Sequence, residues 1–301
     1  MKIAVTGSSG LIGTALAESF GEDGHDVVRL VRRPARSGDE ARWDPHAADA
    51  GLSPTALDGV SAVVHLAGAG VADHRWSNAY KREIRASRVI GTGALASALA
   101  RLDDPPKTLI CASAIGWYGD TGGREVDESA PAATGFMPGV VRDWEAAAAP
   151  AGEAGIRVTH LRSGYVLARG AGLLGRLLPL FRLGLGVTLG PGTQVMSWIS
   201  LADEIGAIRY LLANQDVTGP VNLAAPHPVP NSEFTAALAR ALARPYLPWL
   251  RAPAPVLRIG LGEVVSEFLT SARVTPRRLL DAGYDFRYPD IASALAAELA
   301  A

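Results

Sequence analysis

The chain opens on a short apolar run, Lys2–Thr6, then a glycine-rich turn, then apolar positions at helical spacing from Leu11 to Gly24. The alternation recurs. Asp26–Val31, Ala62–Leu66, Thr108–Ala112 and Arg157–Leu161 read as further strands, with helices predicted over Ser77–Ala100 and Val140–Ala149. Short apolar strands alternating with helices predict a parallel sheet covered on both faces. Right-handed crossovers then give a doubly wound Rossmann α/β fold.

Past Leu161 the pattern loosens. Gly184–Gly192 holds four glycines and a proline in nine positions, which predicts a hairpin-like excursion. A helix at Leu201–Ala213 and a strand at Val221–Ala224 return to the first pattern. Beyond Ala225 the remaining segments read as helices, clearest at Ser232–Leu242 and Pro255–Leu269, and Ala292–Ala301 has helix-forming composition. The expected division is a nucleotide-binding Rossmann domain over residues 1–165, rejoined by the segment 201–224. Residues 166–200 and 225–301 would form a smaller, mainly helical, substrate-side subdomain.

Composition narrows the function. The net charge of −1 gives no electrostatic footprint for nucleic acid or an anionic membrane. No apolar run reaches the roughly 18 residues of a membrane span. A strand beginning at Lys2 leaves no room for a signal peptide, and the lone Cys111 excludes an internal disulfide framework. A cytoplasmic protein is expected, with Cys111 a buried structural thiol. The expected partner is a small molecule of unknown identity, and the oligomeric state stays open.

The most informative motif is Gly7-Ser8-Ser9-Gly10-Leu11-Ile12-Gly13, set between the first strand and the first helix. Gly7 permits the tight turn, Gly10 lets backbone approach a pyrophosphate, and Gly13 lets the helix pack closely on the sheet. The helix N-terminus offers unpaired amides to phosphate oxygens. An NAD site ends the second strand with an acid for the ribose hydroxyls. Here Val31 is followed by Arg32 and Arg33, two guanidinium groups suited to a 2′-phosphate. NADP(H) is therefore the expected cofactor, with Arg32 favoured because it comes first beyond the strand.

Gly7–Gly13, His65-Leu66-Ala67-Gly68 and Ser113 resemble the extended short-chain dehydrogenase/reductase superfamily. Arg75-Trp76, Lys81–Ile84, Ser87-Arg88, Ser113–Gly119, Trp144–Ala147, Leu161–Gly164, Phe181–Gly186, Ser197–Ile199 and Arg273–Leu279 narrow the resemblance to an atypical branch. That branch is described as epimerase-family, sugar-nucleotide-epimerase-like or cell-division-inhibitor-like, and it carries a small C-terminal domain of undefined role. The resemblance implies NADP(H) over Gly7, Ser9, Gly10, Leu11, Ile12 and Gly13, its 2′-phosphate near Arg32. The adenosine or its ribose would lie beside Leu66, Ala67 and Gly68, with further cofactor contacts from Glu83, Arg88 and Ser163. Lys81, Arg85 and Arg88 fall on one basic helix face.

The superfamily works with a Tyr-x-x-x-Lys pair, in which lysine lowers the tyrosine pKa. This chain has no such pair. The residues four beyond its seven tyrosines are Ile84, Gly122, Arg169, Asn214, Leu250, Tyr288 and Ala292. The usual spacing puts Met137 and Val141, or Phe136 and Val140, in those roles. Ser113 and Tyr118 remain as catalytic candidates, Tyr118 otherwise being an aromatic pocket wall with its hydroxyl in water. Both should converge with Arg162–Gly164 and Met196–Trp198 off the carboxyl ends of the strands. His74 is a candidate to line the pocket, and His160 reads as a satisfied interior imidazole. No metal-ligand spacing occurs. Two functions stay open, an NADP(H)-dependent oxidoreductase or epimerase-like enzyme and an NADP(H)-binding sensor without turnover.

Overall fold

The computed structural model describes every residue except Pro54 and Ala301, and for Ala48, Asp49 and Leu261 the backbone alone. Seven strands form one parallel sheet: β1 (Lys2–Thr6), β2 (Asp26–Val31), β3 (Glu40–Arg42), β4 (Ala62–His65), β5 (Thr108–Ala114), β6 (Arg157–Ser163) and β7 (Gly219–Leu223). Their order is β7-β6-β5-β4-β1-β2-β3. Thr6 at the end of β1 stands between Leu30 and His65. The chain reverses its direction of travel across the sheet between β3 and β4, which makes the carboxyl end of β1 the switch point where such folds bind ligands.

The helices are α1 (Leu11–Glu22), α2 (Asn78–Ala100), α3 (Phe136–Ala146), α4 (Ala149–Glu153), α5 (Gly172–Arg182) and α6 (Leu201–Ala213). They are followed by α7 (Asn231–Ala241), α8 (Ala254–Leu261), α9 (Val265–Leu269), α10 (Arg277–Asp281) and α11 (Ile291–Ala300). Strand alternation sorts the core into two layers. Ile3 and Val5 pack with Leu16 and Phe20 of α1 and Ile208 and Leu211 of α6. Ala4, Val63 and Leu109 face the other way, against Leu95 and Leu99 of α2 and Ala151 of α4. A third cluster joins α5, α7 and α11 through Leu174, Leu178, Phe234, Leu238 and Leu295 around the fully buried Trp198. Ser77 and Ser200 cap α2 and α6 by accepting from the amides of Tyr80 and Asp203. Among the described residues no helix is long and apolar enough to cross a membrane.

Three expectations need correction, and one strand was not foreseen. Glu40–Arg42, too short and too charged to show as an apolar run, adds an edge strand beside β2. The helix expected over Val140–Ala149 begins at Phe136 and gives way to α4 at Ala149. Gly184–Gly192 is not a hairpin: Thr188–Leu189 pairs in parallel with the distant Arg251–Ala252. Pro255–Leu269 is broken at Gly262, whose φ of +74° ends α8. The expected helix over Ala292–Ala301 is met by α11, its last residue lying outside those described.

Candidate functional site

The turn after β1 is built by two close approaches. Gly7 has φ +69°, and a Cβ there would sit 2.7 Å from the backbone of Leu66. Gly13 backs directly onto the turn, a Cβ there falling 2.2 Å from the Gly7 carbonyl oxygen, so its role is helix-to-turn rather than helix-to-sheet packing. Thr6 stitches the β4 loop to the same place: its Oγ1 accepts from the amides of Leu66 and Ala67 at 3.1 and 3.2 Å. Gly10 differs. A Cβ there would meet only the Gly7 oxygen, at 3.3 Å, and otherwise enters open space over the start of α1.

No side chain caps α1, and Gly10 stands in extended conformation as its N-cap. The amides of the first turn, including Leu11 and Ile12, have no intrahelical partner. Ser9 and Gly10 are both exposed. A pyrophosphate fits this cradle on geometry and on the partial positive charge of the helix terminus.

At the end of β2 the two arginines separate. Arg33 is committed to Glu40 through two hydrogen bonds, at 2.7 and 2.5 Å. Arg32 is exposed and makes no hydrogen bond or ion pair among the described residues. An arginine held in reserve beside the turn is the one available to a 2′-phosphate.

Two of the three cations expected on the basic face of α2 are paired within the chain. Lys81 pairs with Glu263 and Arg85 with Asp143. Arg88 is buried beneath Gly68, whose Cβ would lie 3.6 Å from it, and donates to the Ala69 carbonyl at 2.9 Å. It sits 4.9 Å from the Trp144 ring centre, and its Nε has no partner. Arg88 thus shapes the loop that carries Leu66–Gly68, while Glu83 is exposed on the same helix.

Beside the turn lies a cavity of about 450 Å³. Ala114–Gly116 at the end of β5, Ser163–Tyr165 at the end of β6 and Val71–Asp73 form one side of it. Met137, Leu173, Arg176, Ser197, Val264, Glu267 and Phe268 close the rest. Gly172 of this wall reaches back toward the turn, a Cβ there falling 3.9 Å from Leu11 Cδ2. Met137 lines the cavity and Val141 is buried behind it, while Phe136 packs edge-on against Trp76. Neither register of the superfamily's dyad therefore presents a phenol or an ammonium here. Among the described residues none of the three lysines lines the cavity.

Ser113 and Tyr118 do not converge on this space, contrary to expectation. Both are drawn into one buried network. Arg162 donates to both carboxylate oxygens of Glu145, at 2.8 and 2.9 Å, and to the Tyr118 hydroxyl at 3.0 Å. Ser113 donates to Glu145 at 2.6 Å, and Tyr118 to Asn222 Oδ1 at 2.7 Å. The hydroxyl expected in water is 4% exposed with its ring, and burial pushes the phenol up to about 12 against the opposing pull of Arg162. Arg162 also belongs to this network, leaving Ser163, Gly164 and Ser197 as the expected residues on the cavity wall.

Ser163 introduces a group the sequence did not single out. Its hydroxyl donates to Glu204 at 2.6 Å, a carboxyl with no solvent exposure. The roles of Glu145, Asn222, Glu204 and Glu267 were missed: the partners of the first three lie far away in the chain, and Glu267 is placed only by the fold of the cavity. His160 is not satisfied as expected: its Nδ1 has no partner in the structure. His74 packs edge-on against Tyr80, 4.9 Å between rings, and does not line the cavity. Cys111 is buried, its thiol pushed up to about 12 by burial, which makes it inert as expected. Among the described residues no group of histidine, cysteine and carboxylates could hold a metal.

Residues 3–224 match the NAD dependent epimerase/dehydratase family, and residues 252–298 match a domain of unknown function, DUF1731. Epimerase family protein Mb2239 of Mycobacterium bovis is 44% identical, the alignment covering 97% of this chain and 96% of that protein. The crystal structure of human epimerase family protein SDR39U1 with NADPH superposes with a TM-score of 0.90 at 32% identity, covering 99% and 98% of the two chains. A nucleoside-diphosphate sugar epimerase from Corynebacterium glutamicum gives a TM-score of 0.81 at 35% identity, covering 99% of this chain and 58% of that one.

Proposed function

The chain belongs to the NAD dependent epimerase/dehydratase family, and from that premise we propose that it is an NADP(H)-dependent oxidoreductase or epimerase-like enzyme acting on a small molecule. The observation that carries this reading is the uncapped start of α1 under a glycine turn, opening beside a 450 Å³ cavity. Gly7–Gly13 would hold the pyrophosphate, Arg32 the 2′-phosphate and the Leu66–Gly68 loop the adenosine ribose. Human SDR39U1, at 32% identity, is described with NADPH, which supports the phosphate-bearing form. Bound there, the cofactor supplies or accepts a hydride at the cavity. The chain's own residues orient it, and the apolar wall of Val71, Ile115, Met137 and Phe268 keeps water from the reacting carbon. The lone buried thiol supports a cytoplasmic setting.

A sensor without turnover is the second reading, favoured by one observation: the hydroxyl hydrogens of Ser113 and Tyr118 are spent on Glu145 and Asn222. Calorimetric titration with NADPH and NADH, followed by NADPH oxidation against a panel of aldehydes and ketones, tests both. Tight NADPH binding with turnover supports the enzyme. Tight binding with no turnover across the panel supports the sensor, and no binding removes both.

A further inference from the structure

The C-terminal segment matched to a domain of unknown function supplies one whole side of the cavity, including Val264, Glu267, Phe268, Thr270 and Ala272. It is fastened at several points. The Tyr165 phenol donates to the Glu267 main-chain carbonyl at 2.7 Å and its ring stacks on Phe268, centres 6.4 Å apart. Arg75 donates to the carbonyls of Ile259 and Gly260, and Lys81 pairs with Glu263. The wall is therefore a fixed part of the site.

The hydroxyls on the cavity wall have no hydrogen to offer a ligand. Ser163 donates to Glu204, Tyr165 to the Glu267 carbonyl, Ser197 to the Ala272 carbonyl and Thr270 to the Ser266 carbonyl. Arg176 faces Asp73 at 3.7 Å, and a guanidinium does not release a proton near neutral pH. The Glu267 carboxyl remains, making no hydrogen bond or ion pair among the described residues.

We propose that Glu267 exchanges a proton with an oxygen of the molecule held in this cavity, and that this molecule is a compact, uncharged carbonyl or hydroxyl compound. The proposal rests on the NADP(H) reading above. In reduction the O–H bond of the carboxyl breaks as one forms on the carbonyl oxygen, the hydride being what a reduced nicotinamide supplies. The carboxylate left behind takes its next proton from water at the cavity mouth. Oxidation runs the same exchange backwards, with the carboxylate as base.

The substrate class follows from charge. Among the described residues the wall's one guanidinium, Arg176, is matched by Asp73 at 3.7 Å, so the lining carries no net positive charge to receive a diphosphate. That separates this site from one built for a nucleoside-diphosphate sugar. Burial pushes the Glu267 carboxyl up to about 7, so both of its forms are populated near neutrality. The titratable and charged groups that line the cavity with it are Tyr165, Asp73 and Arg176. Glu263 on its own segment is neutralised by Lys81.

Infrared titration of the parent and Glu267→Gln, without cofactor, tests the carboxyl directly. A protonated-carboxyl band persisting near neutral pH and missing from the variant is the expected result. Absence of that difference overturns the proposal. Reduction of benzaldehyde and cyclohexanone by NADPH should fall ~10²–10⁴-fold in Glu267→Gln, at unchanged calorimetric NADPH affinity and with the parent's alkaline decline abolished. Parental rates in the variant, or UDP-glucose binding in competition with either carbonyl compound, overturn it as well. Failure of the parent to bind NADPH would instead refute the cofactor reading, which the infrared result does not use.

Discussion

The hydroxyl of Ser163, on the cavity wall, is hydrogen-bonded at 2.6 Å to Glu204, a carboxyl sealed from solvent whose second oxygen has no partner. Burial pushes Glu204 up from 4.5 to about 8, against the weaker opposing pull of Ser163. The folded protein therefore holds a proton that the unfolded chain releases, and the unfolding slope against pH is negative between those values. Stability is full below about pH 4.5 and is lost as pH rises through about 8, by on the order of a few kcal/mol. Glu267 adds a loss of the same sign ending near 7. Thermal midpoints of the parent should fall from about pH 7 to about pH 9; below that range buried His65, held down to about 4 by burial, adds stability as pH rises and opposes the trend. Glu204→Gln should flatten the upper part of that curve, and an unchanged curve would contradict the assignment.

Arg32 and Arg33 are adjacent, yet only Arg32 is unengaged. A charge-assisted contact to a phosphate contributes roughly 1.5–3 kcal/mol, or one to two decades of affinity. NADPH should bind at least about tenfold tighter than NADH. Arg32→Ala should remove most of that preference and leave NADH affinity nearly unchanged in calorimetric titration. Equal losses for both cofactors would show that the 2′-phosphate lies elsewhere.

What the sequence disclosed and what it hid divide along a physical line. The strands, the glycine turn and the missing dyad are local: each depends on residues within a few positions, and periodicity or spacing reports them. The helix limits of α6, Leu201–Ala213, emerge intact because Ser200 caps it locally. The site chemistry is non-local. Tyr118 reads as a free phenol until Asn222, 104 positions away, is seen to accept its hydrogen. Glu267 reads as one more charge on a helix until the fold brings it to the cavity wall beside Tyr165. Even Arg33, closer to home, needed the unnoticed strand Glu40–Arg42 to bring Glu40 within reach.

Two glycines of the turn after β1 should fail differently. Gly10 has φ −84° and open space beyond it, so Gly10→Val should fold while filling the place where phosphate oxygens meet the α1 amides. Its thermal midpoint should stay within a few degrees of the parent, with NADPH binding lost. Gly13→Val places a carbon 2.2 Å from the Gly7 oxygen and should compromise folding itself. Circular dichroism melts and NADPH calorimetry on the pair check this. A Gly10→Val protein that binds within a few-fold of the parent would show that the turn is not the phosphate cradle.

Tyr118 offers the sharpest separation of scaffold from chemistry. Its hydroxyl accepts from Arg162 and donates to Asn222, and Arg162 also holds Glu145 and lies 3.9 Å from the Trp117 ring centre. Tyr118→Phe removes one oxygen and leaves two buried polar partners short of a bond. Such a loss costs about 1–3 kcal/mol, because the orphaned groups do not recover their water. The thermal midpoint should therefore drop by several degrees. NADPH affinity should hold, and so should turnover of any carbonyl substrate, since the hydroxyl does not reach the cavity. Arg162→Met should be worse, because it strands the Glu145 carboxylate in the interior, and loss of a partner from a buried pair costs ~3–5 kcal/mol. The decisive measurement is the ratio of turnover to stability in Tyr118→Phe. A fall in turnover of about 100-fold at an unchanged melting temperature would make the phenol the acid after all. A lowered melting temperature at an unchanged rate would confirm it as part of the frame that holds Ser113 and Glu145 behind the wall.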